Sequence, residues 1–197
     1  LVYVGLGIIV LVLAKMAQDL ITRYSIGEQV TQKDNVALGL SMTGYYLGVI
    51  IVFVGTLFQP LTVVRDNKWQ YTTDFGWDVL EVFLYSLVGI ILMNVSRYVV
   101  DRLVLYRFDT EKEIIENQNK GTAAVEFGIY IAVGLVIAAA TAGTGGGVDG
   151  GSEVSTIDSV ARSLAFFGLG MLVLVLFSVF YELTTSFSIH EQIEKNN

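Results

Sequence analysis

The sequence predicts an all-α fold, a polytopic transmembrane helix bundle with five spans built from parallel tandem two-helix repeats. Three observations predict it. Hydrophobic residues make up 53% of the chain and charged residues only 16%, with a mean hydropathy of +0.61. No charged residue occurs from 36 to 59, and only Glu126 from 121 to 144. Similar phrases also return at a fixed spacing, which is typical of duplicated helical units.

The spans follow from the length of the apolar runs. A stretch of ~20 apolar residues crosses the hydrocarbon layer of a bilayer. The predicted spans are residues 1–22, 36–58, 79–100, 121–143 and 163–183. The first apolar run reaches only Ala14 before Lys15, which is short for a span, so we expect that the sequence begins inside a helix. The run has no basic leader and is not typical of a signal peptide.

The basic residues predict the orientation. Nine Lys and Arg residues fall in the first, third and last polar segments, and three fall in the second and fourth. Short loops rich in Lys and Arg stay in the cytoplasm, so we expect the N-terminus outside and the C-terminus inside. The second segment, "WQYTTDFGWD", carries Trp69, Tyr71, Phe75 and Trp77, which favour the headgroup layer. The fourth, "TAGTGGGVDGGSEVST", is predicted to be a flexible linker, because no Lys-Ser or Lys-Thr follows its glycines as a phosphate-binding loop requires.

Two related phrases define an internal repeat. "KDNVALGLSMTGYYLGVIIV" begins at Lys33 and "NKGTAAVEFGIYIAVGLVIA" at Asn119. Asn35 precedes Gly44 by nine residues, as Asn119 precedes Gly128, and the offset is constant (119 − 35 = 84; 128 − 44 = 84). "SIGEQV" at residue 25 likewise returns as "SIHEQI" at residue 188. The predicted units are residues 1–58, 79–143 and, in part, 163–197.

Small residues at helical spacing predict close helix packing. Their spacing places them on one face of a 3.6-residue helix, where small side chains let membrane helices approach closely. The alternative explanation is that Gly and Ala are simply common in membrane helices. The predicted packing residues are Ala37, Ser41, Gly44, Gly48 and Gly55 in the first unit and Gly121, Gly128, Ala132 and Ala139 in the second.

Glu126 is the one carboxylate well inside a predicted span, and ionisable residues there are functional candidates. It lies seven residues after Asn119, or ~10 Å of helix rise, so it could also reach the cytoplasmic headgroups and have a purely structural role. An ion or proton site is therefore the second interpretation. Asn119, Ala123 and Tyr130 share its helix face, and any polar pathway should involve them.

Polar residues near the ends of the spans have simpler interpretations. Asn94 is expected to bond to a neighbouring helix. Arg97, Asp101 and Arg102 are expected to snorkel to the interface or to contact anionic lipids.

Acidic segments that we call elbows connect the paired spans, and they contain Glu28, Glu113 and Glu191. These carboxylates are predicted either to stabilise helix N-termini or to bind a cytoplasmic protein partner, and the two roles are compatible.

Several function classes are excluded or disfavoured by composition. The chain has no Cys and a single His, His190, which cannot by themselves form a Cys or His metal site. We expect no metal and no cofactor. The net charge of −7 and the lack of a basic run argue against nucleic acid as a partner. No nucleophile–base pair is evident, so we expect no enzymatic activity.

The elbow followed by "DNVALGLSMTG" or "NKGTAAVEFG" resembles the membrane family catalogued as domain of unknown function 350 (YjfL-like). The resemblance covers nearly the whole chain, with a fifth span and a degenerate middle elbow as departures. Asn35, Gly44, Asn119 and Gly128 match motif positions, with no catalytic role implied. The resemblance implies a bacterial inner-membrane protein with no established activity, and an association of some members with envelope stress implies partner binding.

Two functions follow as expectations. The first is a non-enzymatic helical module that contacts membrane lipids, forms a homo-oligomer or a subunit of a membrane complex, and recruits a partner through its elbows. The second is an ion channel or proton-coupled transporter that uses Glu126.

Overall fold

The computed structural model describes residues 1–57, 62–65, 68–71, 75–105, 109–142, 156–186 and 192–193. Five long helices dominate these residues. The elements are α1 (Val2–Ile21), α2 (Ile26–Thr31), α3 (Val36–Leu57), β1 (Thr62–Arg65), β2 (Lys68–Tyr71), α4 (Phe75–Leu103), α5 (Thr110–Ile115), α6 (Lys120–Ala142) and α7 (Thr156–Thr184). The all-α prediction is confirmed for the bundle.

Among the described helices, five are long and apolar enough to cross a membrane, namely α1, α3, α4, α6 and α7. The predicted bounds agree within two residues for α1, α3 and α6. Helices α4 and α7 begin earlier than predicted, at Phe75 and Thr156 rather than at residues 79 and 163. Their first turns lie outside the most apolar stretch, and hydropathy alone detects only the part of a helix that lies in lipid.

Helices α3 and α6 form the centre of the bundle and run parallel. Their contacts advance along both helices in the same direction, from Gly44 against Phe127 to Gly55 against Ala138. A Cβ built on Gly44 would lie 2.6 Å from the Cα of Phe127, and one on Gly55 would lie 2.8 Å from the Cα of Ala138. Only glycine permits backbones to approach this closely, which is how small residues promote helix association in lipid.

The remaining long helices pack around this pair, again through glycines. On α1, a Cβ at Gly7 would lie 3.0 Å from the ring of Phe53 on α3. On α4, a Cβ at Gly89 would overlap the side chain of Val52 on α3. These contacts place α1 and α4 against the central pair. Helix α7 contacts α6 through Gly170, whose Cβ would overlap Val136.

Two short helices form the described parts of the first two elbows. The Ser25 hydroxyl accepts a hydrogen bond from the backbone N–H of Glu28 at the start of α2, and the Asp109 carboxylate accepts one from Lys112 at the start of α5. Such side chains satisfy backbone donors that a helix start leaves free. The backbone then turns sharply into the next long helix, with Asp34 and Gln118 both at φ 48°.

A two-stranded antiparallel sheet lies between α3 and α4, and the helical prediction did not include it. Thr62 pairs with Tyr71 and Arg65 with Lys68. The strands contain β-branched and aromatic residues and are separated by two residues, which favours a hairpin. Of the aromatic residues predicted at the interface, Phe75 and Trp77 are 59% and 64% exposed.

The middle of the bundle is an apolar core. Side chains from α3, α4, α6 and α7 interdigitate there, as expected for helices that cannot rely on a hydrophobic driving force in lipid. Its buried members include Val49, Val52, Ile90, Met93, Val133, Ile137 and Met171. Residues 143–155 of the Gly-rich fourth polar segment lie outside the described residues.

Candidate functional site

A buried ion pair joins α4 to α6. Arg97 Nε lies 3.4 Å from Glu126 Oε1, and the two side chains are 16% and 4% exposed. Asp101, one turn further along α4, lies 4.0 Å from Arg97 Nε and is 36% exposed. Charges inside a membrane protein are costly unless they are paired, and each of these two groups has the other as its partner.

Helices α3 and α6 each supply a further hydroxyl to the carboxylate. The Ser41 hydroxyl donates to Glu126 Oε2, and the Tyr130 hydroxyl lies 3.4 Å from Oε1. The Tyr130 ring packs edge to face against Tyr45, with ring centroids 5.4 Å apart. Both carboxylate oxygens therefore have partners, which is the condition for a buried charge to be stable.

A chain of amides extends the cluster to α1. Arg97 Nη1 lies 3.4 Å from the side-chain oxygen of Gln18, whose own amide donates to Asn94 at 3.1 Å. The Asn94 amide lies 3.3 Å from the Tyr45 hydroxyl. We call these residues the Arg97–Glu126 cluster; its members are Gln18, Ser41, Tyr45, Asn94, Arg97, Asp101, Glu126 and Tyr130. Four helices thus meet in one polar network.

A cavity of about 340 Å³ opens beside the cluster. Three members of the cluster, Asn94, Arg97 and Asp101, line it. Burial raises the pKa of the Tyr24 hydroxyl, between α1 and α2, and the charge of Arg97 opposes that shift. The rest of the lining comes from Ile21, Thr22, Tyr98, Arg102, Asp109, Thr110 and Glu111.

The cluster occupies only the half of the bundle next to the elbows. Gln18 is near the end of α1, and Ser41 and Glu126 are in the first two turns of α3 and α6. The next layer, towards the hairpin, is apolar and includes Val49, Ile90 and Val133. The arrangement can therefore bind a polar group or a proton from one side, while the apolar layer separates it from the other side.

A second set of buried polar contacts joins the long helices to the elbows. The Asn35 side chain accepts from the backbone N–H of Leu38 and donates to the carbonyl of Ile114 in the second elbow, each at 2.9 Å. Asn119 accepts from Thr122 at 3.0 Å and donates to the carbonyl of Ile193 at 2.8 Å. Each asparagine thus caps its own helix and binds the following elbow.

The structure changes the interpretation of two charged residues. Glu126 does not extend to the headgroups: the residue is 3% exposed and is held by Arg97 and Ser41. Arg97 does not snorkel, because its guanidinium points into the bundle towards that carboxylate. Arg102 remains at the surface, with its guanidinium 5.5 Å from the centre of the Tyr98 ring.

The three elbow carboxylates differ. Glu28 is half exposed and lies 3.9 Å from Lys33 Nζ, so it remains accessible to a partner. Glu113 is buried at 9% exposure and accepts from the side-chain amides of Asn117 at 2.8 Å and Asn119 at 3.0 Å. Glu113 is thus a structural acceptor, and its burial argues against its predicted role in binding a partner. Glu191 lies outside the described residues, as does His190.

The predicted packing residues of the two predicted units differ in burial. All five in the first unit are buried, and Gly44, Gly48 and Gly55 contact α6. In the second unit, Gly128 and Ala139 are exposed, Gly121 and Ala132 are partly buried, and α6 contacts α3 through a different face that contains Phe127, Tyr130, Gly134 and Ala138. On α6, the face with the predicted packing residues therefore points away from α3.

Sequence reasoning missed the partners of Glu126. Arg97 and Glu126 are 29 positions apart, and no local spacing connects them. A usable signal existed: Arg97 is the only basic residue in the predicted span 79–100, and Glu126 is the only acid in 121–143. Buried charges require partners, so these two were natural candidates for each other. Among the described residues, no group of His, Cys, Asp and Glu is arranged to hold a metal ion.

This chain is similar to two proteins named as transmembrane proteins. It is 26% identical over 137 residues to the UPF0719 transmembrane protein YshE of Bacillus subtilis (strain 168), which covers 70% of this chain and 88% of the relative. It is 25% identical over 173 residues to a UPF0719 transmembrane protein of Aquifex aeolicus (strain VF5), which covers 87% of this chain and 54% of the relative. The chain therefore spans about half the length of the Aquifex protein. No solved structure matches it significantly.

The relatives and the five apolar helices identify a multi-pass membrane protein. The sequence profile of one family matches residues 1–141, more than two thirds of the chain, and includes α1 to α6 with both asparagine caps. The chain belongs to the family described as Domain of Unknown Function (DUF350).

Proposed function

We propose that this protein is a non-enzymatic membrane module whose tandem two-helix units dock head to tail and assemble into a larger membrane complex. The units are residues 1–58, 79–143 and, in part, 163–197. The observation that carries the proposal is the matched pair of hydrogen bonds from Asn35 to the Ile114 carbonyl and from Asn119 to the Ile193 carbonyl. Each links one unit to the elbow of the next.

The backbone supports the same repeat. Asp34 and Gln118, which are 84 residues apart, share φ 48°. The backbone N–H of Asn35 bonds to the carbonyl of Gln29 at 3.0 Å, and that of Asn119 bonds to the carbonyl of Glu113 at 2.9 Å. A duplicated unit explains why positions with little sequence identity make equivalent bonds. The distribution of basic residues supports elbows on the cytoplasmic side of a plasma (inner) membrane, with the N-terminus outside.

Assembly is tested by the mass of the purified protein in lipid nanodiscs. A single chain has a mass of 21.6 kDa, so native mass spectrometry distinguishes one copy from an oligomer or a mixed complex. We expect a species larger than one chain when the protein is extracted gently from its native membrane. A protein that is always recovered alone, as one copy, would contradict the proposal.

Partner recruitment is tested at the elbows. Glu28 is exposed and is the described elbow carboxylate best placed to meet a basic partner. Reversing Glu28 and Glu191 to Lys should remove an associated protein from the native mass spectrum, because like charges then face each other. The matched control is Glu81→Lys, an exposed acid near the start of α4, at the end of the bundle opposite the elbows. Loss of association in the control alone, or in neither variant, argues against elbow recruitment.

The second candidate is a proton or ion site at Glu126. The observation that favours it is a buried carboxylate joined through Arg97 to a cavity that is open on the elbow side. Because an apolar layer lies beyond Tyr45, transport would require that layer to open. Proteoliposomes with an imposed pH gradient test this candidate. Glu126→Gln should abolish flux that Glu28→Gln preserves, and a parent protein without flux eliminates it.

A further inference from the structure

Two kinds of contact recur between consecutive units. The first is the asparagine bond to the following elbow, made by Asn35 and again by Asn119. The second is a valine that fills a glycine notch on the following helix. Val52 of α3 occupies the notch at Gly89 of α4, and Val136 of α6 occupies the notch at Gly170 of α7 (52 + 84 = 136). Helix α7 therefore sits on α6 as α4 sits on α3.

A third kind of contact is made once among the described residues. Gly44, Gly48 and Gly55 form the face of α3 that α6 covers. The positions 84 residues later on α6 are Gly128, Ala132 and Ala139. A Cβ built on Gly128 meets nothing within 4 Å, and Ala139 is exposed. Helices α3 and α6 thus carry the same face of small residues, and α6 covers the one on α3.

An apolar groove marks the uncovered face. It has a volume of about 320 Å³ and runs between α6 and α7. Gly128 and Ala132 form its floor on α6, while Leu174 and Phe177 form its wall on α7. On α3, the space equivalent to this groove lies between α3 and α4 and is filled by α6. The groove therefore continues an interface that the protein already uses.

We propose that the α6–α7 groove binds one further membrane-spanning helix of the α6 type, which runs parallel to α6 and sets its backbone against Gly128. This inference rests on the repeated-unit assembly proposed above. The chemistry of the occupant follows from the helix that covers the equivalent face on α3. The occupant therefore has an aromatic residue at the position of Phe127 and a glycine at the position of Gly134, the residues through which α6 meets Gly44 and Gly48.

A second copy of the chain fits the groove less well. Helix α3 is packed against α1, where Gly7 meets Phe53. If α3 of another copy entered the groove with its own α1, that α1 would occupy the position that α7 already holds beside α6. A helix without such a companion avoids this overlap with α7. The proposed occupant is therefore a single helix rather than a two-helix unit.

The test uses a separate helix with the α6 sequence as the probe. The full chain is co-expressed with a tagged segment of residues 117–142, because α6 is the helix that covers the equivalent face on α3. The chain has no Cys, so single cysteines can report the contact. A Cβ on Gly134 lies 3.0 Å from the Cα of Gly48, and Ala132 is the counterpart of Gly48. We expect a disulfide between Ala132→Cys in the chain and Gly134→Cys in the probe.

Filling the groove should prevent the cross-link. Gly128→Leu in the chain should lower its yield by about tenfold, because overpacking opposes a close backbone contact. Gly168→Leu is the matched control; Gly168 is also exposed with nothing within 4 Å of a built Cβ, and it faces away from the groove on α7. The control should give the parental yield. Thermal unfolding of both variants shows that each has folded. Ala132→Cys chains that also carry Ala139→Leu provide a second variant on the uncovered face of α6, beyond the groove.

Three results would overturn the proposal: no cross-link in the parent, an equal yield with Gly128→Leu, or a disulfide between two full chains that excludes the probe. The last would assign the groove to a second copy. Repeat docking itself is measured separately, through the stability of Asn35 and Asn119 variants. If the Asn35 and Asn119 variants lose stability as predicted but the folded chain does not bind the probe, the groove proposal is rejected and the proposed docking of the units is not.

Discussion

The guanidinium of Arg97 and the carboxylate of Glu126 meet at 3.4 Å in the interior of the bundle, although their helices are separated by an elbow in the chain. Ser41 on α3 completes the contact by donating to the same carboxylate. The pair thus links the central helices α3 and α6 to α4. Position 42, which precedes Glu126 by the 84-residue offset (126 − 84 = 42), is a buried methionine.

This geometry predicts strong coupling between the two charged residues. Glu126→Met and Arg97→Met should each lower the free energy of unfolding by ~3–5 kcal/mol, because each leaves a buried charge without its partner. The double variant should lose less than the more damaging single one, since no unpaired charge remains. Reversible unfolding in mixed detergent micelles measures all four proteins.

The control for this comparison of single and double variants is an exposed ion pair, in which Lys33 Nζ lies 3.9 Å from Glu28 Oε1. Removing its charge by Glu28→Gln should change the free energy of unfolding by less than ~1 kcal/mol. If the double Arg97/Glu126 variant instead loses the sum of the two single losses, the residues act independently and the pair does not hold the helices together.

Gly44 and Gly128 form a matched pair for testing the α3–α6 contact. Gly44→Ala should destabilise the protein by ~1–3 kcal/mol, because its Cβ would lie 2.6 Å from the Cα of Phe127 and backbone must move. Gly128→Ala should be neutral or stabilising by up to ~1 kcal/mol, since its Cβ meets nothing and alanine favours helix. Equal effects of the two substitutions in an unfolding titration would contradict the assigned interface.

These same glycines show how much of the helix packing can be predicted from the sequence. The small-residue face of α3 follows from spacing alone, and the long apolar runs fix the five spans. The sequence does not show which helix covers that face. It also suggests that Gly128 is covered like Gly44, because the motif is the same. The similar faces of α3 and α6 have different neighbours, and only the three-dimensional order of the helices decides which face remains open.

The polar cluster shows a second reason for incomplete prediction. Glu126 is conspicuous in the sequence because it is the lone charge in an apolar run. Its environment depends on Arg97 and Ser41, which come from two other helices. Gln18 and Tyr45 give no comparable signal, because single amides and tyrosines are ordinary in membrane helices. Burial and pairing are properties of the packed bundle, so the sequence supports both a snorkelling and a buried carboxylate.

The asparagines that link the units predict unequal effects of one substitution. Aspartate retains the capping oxygen but loses the amide donor, so Asn35→Asp should lose the bond to the Ile114 carbonyl and lower the free energy of unfolding by ~1–3 kcal/mol. Asn119→Asp should be more damaging, because the Asn119 amide also donates to the Glu113 carboxylate at 3.0 Å, and the substitution places two carboxylates together.

The order of these two effects is the informative measurement. Adding Glu113→Gln to Asn119→Asp should recover part of the lost stability, since it removes the repulsion between carboxylates. The same Glu113→Gln change should give Asn35→Asp no comparable recovery. Rescue of both variants to the same extent would show that Glu113 acts generally rather than through its contact with Asn119.

The left-handed residues in the two elbows predict a gain of stability. Asp34 and Gln118 both have φ 48°, a conformation that glycine adopts without steric cost and that other residues adopt at ~1–2 kcal/mol. Gln118→Gly should therefore raise the free energy of unfolding by ~1 kcal/mol. Asp34→Gly should gain less, because a short polar side chain tolerates this region better than glutamine does. Gln118→Ala is the control and should bring no gain, since it retains a Cβ. If unfolding titrations show that Gly and Ala act alike at 118, backbone conformation is not what limits this turn.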